Sequence, residues 1–120
     1  MNIEDFRAYC LTKKGITEEF PFDERTLVFK VMGKMFALTS LERLPPQVNL
    51  KCNPERAVVL REEYDEVIIP GFHMNKKHWN TIEIERVSPV VLKELIDHSY
   101  DLVVSKLTKK QQAELEKLEE

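Results

Sequence analysis

TLVFKVMGKMFALTSL, residues 26–41, holds two β-rich runs on either side of Met32-Gly33-Lys34. Glycine at the centre supplies the positive φ of a tight turn, so the stretch reads as a β-hairpin and sets a sheet at the heart of the chain. Downstream, Pro45 and Pro46 interrupt, and QVNLKC, residues 47–52, reads as another strand. NPERAVVLREEY, residues 53–64, opens a helix with Asn53 as N-cap and Pro54 at the first helical position; Ala57, Val58, Leu60, Arg61 and Tyr64 make its apolar side. EVIIPG, residues 66–71, reads as a short buried strand. HWNTIEIE, residues 78–85, alternates Trp79, Thr81 and Glu83 against Asn80, Ile82 and Ile84, the pattern of a half-buried strand with one polar face. Ser88-Pro89 begins the longest helix, with Leu92, Leu95, Ile96, Ser99, Val103 and Leu107 as its core stripe.

Upstream of the hairpin, Ile3, Phe6 and Leu11 lie at helical spacing through about residue 13, with Asn2 as N-cap and Gly15 as the stop. TEEFPF, residues 17–22, reads as an irregular edge strand, because Pro21 cannot donate to a ladder. The order helix, strands, helix, strands, helix lacks regular βαβ alternation. The predicted fold is therefore α+β, a single domain over residues 1–107 with an antiparallel sheet packed by helices on one face. The charged tail of residues 108–120 has helical propensity but only Ala113, Leu115 and Leu118 to bury, so it either frays or packs on a partner.

With 120 residues and 42% hydrophobic content, the chain is long enough for one core. A net charge of −3 excludes a global attraction to nucleic acid, so such a role requires a local basic face. Cys10 and Cys52 match no CxxC spacing and suit reduced thiols. The first residues carry Glu4 and Asp5 rather than a signal-peptide start, and no run approaches the roughly 18 apolar residues of a membrane span, which points to the cytoplasm.

Catalytic signatures are missing. There is no GxSxG elbow, and the three glycines form no phosphate loop. Cys52 stands just before a helix start, where the dipole can lower a thiol pKa, although a buried structural cysteine is the ordinary reading. Cys52, His73 and His78 are legitimate metal ligands, but a histidine spacing of five matches neither HxxxH nor HExxH, so neither a metal nor a cofactor is expected. HMNKKHWNT, residues 73–81, is the richest stretch. Its lysines can meet phosphate, its asparagines can bond base edges, and an exposed Trp79 offers a stacking face. Equally, Trp79 can anchor the core while Asn75 and Asn80 cap turns and the lysines stay solvated. Lys51, Arg56, Arg61, Lys76, Lys77 and Arg86 form one basic side if their strands are neighbours.

LKCNPERAVVLREEY (50–64), VIIPGFHMNKKHWNTI (67–82) and LIDHSYDLVVSKL (95–107) resemble, in order, the signature blocks of the MmcQ/YjbR family. The resemblance spans nearly the whole chain. It implies a small bacterial cytoplasmic domain whose α+β fold is similar to that of the bacterial frataxin CyaY and to the double-wing DNA-binding domain of the phage transcription factor MotA. Carried over by position, the signature falls on Lys51, Cys52, Pro54, Arg61, Tyr64, Pro70, His73, Met74, Asn75, Lys76, His78, Trp79, Asn80 and Thr81. The DNA-binding label that comes with the resemblance rests on fold analogy. The acidic clusters Glu18-Glu19, Asp23-Glu24, Glu62-Glu63 and Asp65-Glu66 oppose a duplex wherever they share its face, and the first helix, with only Glu4 and Asp5, lacks the acidic ridge of a frataxin iron site. The expectation is a non-enzymatic binding domain, with DNA as the possible partner and Lys51, Arg61, Tyr64, His73, Asn75, Lys76, Lys77, His78, Trp79 and Asn80 as the site. The alternative is a pocket for a small molecule or a protein, built by Lys51, Arg61, Tyr64, His73, His78 and Trp79.

Overall fold

A computed structural model describes residues 1–71 and 74–118. Helix α1 (Ile3–Leu11) leads into strands β1 (Ile16–Glu19), β2 (Thr26–Val31), β3 (Lys34–Ser40) and β4 (Gln47–Lys51). Then come α2 (Pro54–Glu63), β5 (Ile68–Pro70), β6 (Trp79–Glu83), α3 (Pro89–Ser105) and α4 (Lys109–Lys117). The strands form one sheet in the order β1-β2-β3-β4-β6-β5, and every neighbouring pair is antiparallel. This is the α+β architecture the sequence predicts.

Local chemistry sets the element ends. The β2–β3 turn places both Met32 (φ 49°) and Gly33 (φ 81°) in the left-handed region, as a two-residue hairpin turn requires. The side-chain oxygens of Asn2, Asn53 and Ser88 accept from backbone amides in the first turns of α1, α2 and α3. Asn53 and Ser88 are each followed by proline at the helix start.

All four helices contribute to one core with a single face of the sheet. Phe6, Phe29, Phe36, Leu50, Leu92 and Ile96 are buried there, with the Phe6 and Phe29 rings edge to face at 5.9 Å. A smaller cluster of Val28, Leu38 and Trp79, flanked by Met35 and Met74, occupies the opposite face.

Between the Phe29–Ala37 and Lys30–Met35 pairs the register shifts, leaving Phe36 as the extra residue of a bulge, so Phe36 and its neighbour Ala37 both enter the core. Ser99 of α3 closes the irregularity. Its hydroxyl donates to the Phe36 carbonyl and accepts from the Lys51 amide at 2.9 Å. On either side, His98 Nε2 accepts from the Asn53 amide at 3.1 Å and the Tyr100 hydroxyl donates to the Lys14 carbonyl at 2.6 Å. His98, Ser99 and Tyr100 thus each bind a backbone group of another element, because α3 crosses places where the ladders stop.

In two places the structure departs from the strands read in the sequence. The short strand β5 lies at a sheet edge, with Ile68 buried and Pro70 exposed. Strand β6 is buried on both faces from Trp79 to Ile82, because its position between β4 and β5 lets the cluster around Trp79 cover its second side. Residues beyond the long helix form α4, with a capping box between Thr108 and Gln111. Leu115 joins the main core against Gly15 (φ 74°), where a Cβ would stand 2.5 Å from Leu115 Cδ1. Among the described residues, no helix is long and apolar enough to cross a membrane.

Candidate functional site

The loop ahead of β6 is held from within. Asn75 Oδ1 accepts from the Lys77 amide at 3.0 Å, and the Asn75 carbonyl accepts from the His78 and Trp79 amides. The His78 carbonyl in turn accepts from the Cys52 amide at 2.8 Å. Arg61 reaches over from α2: its Nε donates to Asn80 Oδ1 at 2.7 Å and its Nη2 to the Lys76 carbonyl. Asn80 is 1% exposed, and its Nδ2 has no hydrogen-bond partner among the described residues. Trp79 is 7% exposed and packs with Val28 and Leu38. Trp79 and Asn80 are therefore buried rather than offered as the expected stacking and polar surface, Arg61 is half-buried with its guanidinium turned onto Asn80 and the Lys76 carbonyl, and Asn75 stays exposed while its side chain caps the loop. Lys76 and Lys77 are exposed, and His78 is half-buried. His73 lies outside the described residues.

Nor do the predicted cations make one basic side. Arg56 pairs with both oxygens of Glu94 at 2.7 Å on the helical side, and Arg86 pairs with Glu83 beyond the far end of β6. Tyr64 ends α2, with its carbonyl accepting from the Val67 and Ile68 amides and its ring against the main core. Lys51 and Trp79 face the opposite side of the sheet. Of the pocket expected from Lys51, Arg61, Tyr64, His73, His78 and Trp79, Lys51 and Trp79 thus lie on one face and Arg61 and Tyr64 on the other, while His73 is outside the described residues.

What the fold does assemble is a recess at the end of the sheet where β3 begins, β4 ends and β6 begins. Lys51 and Trp79 are direct partners across β4 and β6, so their side chains share a face. Lys34 and Met35 come from the start of β3, and Val103 and Lys106 from the end of α3. These six residues line a cavity of about 430 Å³. Among the described residues, none of its three lysines has a carboxylate within salt-bridge distance. Burial, and next the charge of Lys106, hold the half-buried Lys51 ammonium below its usual pKa.

A second depression, of about 480 Å³, runs over the open face of the sheet. Met35, Leu38, Met74 and Phe22 give it apolar walls, Thr26, Ser40, Gln47, Asn49 and Thr81 give it polar ones, and Arg43 adds one cation. Thr81 donates its hydroxyl to Asn49 Oδ1 across the β4–β6 ladder. Sequence reasoning singled out Lys51 and Trp79 but missed Lys34, Met35, Val103 and Lys106. The turn at Gly33 marks Lys34 as the first residue of a strand, but nothing local places it beside the end of α3.

Both thiols are buried. Burial pushes Cys10 up to about 12 and also raises Cys52, whose position before α2 therefore does not create a reactive thiolate. No group of three or more metal-ligating side chains converges among the described residues.

The sequence model of the YjbR family matches residues 11–102. The Escherichia coli O157:H7 protein YbdF is 42% identical over 94 residues, covering 78% of this chain and 76% of its own. YjbR of Escherichia coli K12 is 32% identical over 108 residues, covering 89% and 91%. The crystal structure of a Deinococcus radiodurans protein with a DUF419 domain superposes with a TM-score of 0.89 at 41% identity, over 96% of this chain and 88% of that one. The family match over residues 11–102, the sequence relatives and the agreement in fold concur, and the chain belongs to the YjbR family.

Proposed function

We propose that the protein is a non-enzymatic binding domain whose ligand carries a phosphate group, held by Lys34, Lys51 and Lys106 above Trp79 and Met35. The observation that carries this reading is the convergence on one recess of three lysines without carboxylate partners among the described residues, in a chain of net charge −3. Three like charges around a cavity repel one another, and a dianionic phosphate ester relieves that repulsion while gaining charge-assisted hydrogen bonds. Trp79 is the sole tryptophan and lines the recess, so its fluorescence reports occupancy. Titration of methyl phosphate at low ionic strength is expected to shift Trp79 emission saturably, and Lys51→Ala to weaken binding about tenfold, the loss of one charged hydrogen bond. Unchanged emission, or undiminished affinity in the variant, contradicts the reading.

Duplex DNA is the second reading, favoured by Lys76 and Lys77. They are adjacent and exposed, without a carboxylate partner among the described residues, on a loop fixed by Arg61 and Asn75. If both meet phosphate, Lys76→Ala with Lys77→Ala lowers the salt slope of duplex binding by about 2. Affinity and slope that stay the same exclude phosphate contact by this pair.

A further inference from the structure

The recess and the open-face depression are not separate. Met35 lines both, and the Val28, Leu38 and Trp79 cluster, with Met35 and Met74 packed on it, forms an apolar floor from one to the other. The three lysines, which have no carboxylate partner among the described residues, gather at one end of this path. Resting on the phosphate reading of the recess, we propose that the ligand is an amphipathic phosphate monoester whose headgroup sits among the lysines and whose apolar body lies over Met35, Leu38 and Met74.

Two features of the path point to such a ligand. Helices cover the other face of the sheet, while this face sets an apolar strip of Met35, Leu38 and Met74 beside a charged cavity, and a molecule that is anionic at one end with an apolar body satisfies both parts. The volumes, about 430 Å³ for the recess and about 480 Å³ for the depression, leave room for more than a phosphate ion. Charge complementarity sets the orientation, because three lysines line the recess and a single arginine, Arg43, lines the depression.

The test is a chain-length series of inorganic, methyl, butyl and octyl phosphate, read through Trp79 below micelle-forming concentrations. Affinity is expected to rise about twofold or more per methylene from methyl to octyl phosphate, less than full burial gives because the groove is open on one side. Met74→Ser, a change at the half-buried edge of the Trp79 cluster, is expected to lower octyl phosphate affinity severalfold and to leave methyl phosphate affinity as it was. Equal affinities along the series, with binding retained, overturn the amphipathic ligand and leave the phosphate recess standing. Binding by no member overturns both. Octyl phosphate affinity that is untouched in a folded Met74→Ser protein also overturns the proposed path.

Discussion

Arg61→Ala is expected to lower the unfolding free energy by about 3 kcal/mol, because one guanidinium serves both the buried Asn80 side chain and the loop carbonyl of Lys76. Hydrogen bonds from a charged donor contribute roughly 1.5–3 kcal/mol, and Asn80, at 1% exposure, depends on Arg61 for the partner of its Oδ1. Its Nδ2 already lacks a partner among the described residues, so the variant leaves both ends of the carboxamide unsatisfied. Arg61→Lys rescues little, since a single ammonium cannot span two acceptors with the planar fork of arginine. Urea unfolding of the three proteins tests this. A difference below about 0.5 kcal/mol for the alanine variant, the scatter of ordinary surface changes, contradicts a structural role for Arg61.

Gly71→Ala is expected to cost a further about 3 kcal/mol by a different route. The Gly71 amide donates to the Trp79 carbonyl at 2.8 Å, bringing the two backbones together. A Cβ at Gly71 would stand 2.7 Å from Trp79 Cβ and 3.0 Å from the Trp79 carbonyl oxygen. Neither atom is the far end of a flexible side chain, so the chain ahead of β6 must move away, losing the hydrogen bond and loosening the Trp79 cluster. Lower stability together with a red-shifted Trp79 emission is the expected pair of results. Native stability and emission would mean the strands tolerate the methyl group.

These two residues show where the sequence is legible and where it is not. The 26–41 hairpin, the caps at Asn53 and Ser88 and the core stripe of α3 are local chemistry, readable because each signal lies within a few residues of the feature it sets. The signature stretches were also visibly unusual. Their roles were not, since Arg61 and Ser99 act on backbone groups supplied by other elements. Hydrophobic alternation gave the facing of Trp79 against Asn80 but not its burial, which follows from the β4-β6-β5 order and from Met35, Leu38 and Met74 around it. The recess was the least legible feature, because Lys34, Lys51 and Lys106 meet only after a turn, a ladder and a long helix have each fixed their own ends.

On the proposed reading, the lysines of the recess, and not those of the exposed loop, hold the ligand's phosphate. Its most direct test is titration of butyl phosphate into two folded variants, Lys51→Ala with Lys106→Ala and Lys76→Ala with Lys77→Ala, read through Trp79. The account predicts at least a tenfold loss of affinity in the first variant and near-native affinity in the second. Undiminished binding in the first variant, or a comparable loss in the second, contradicts it.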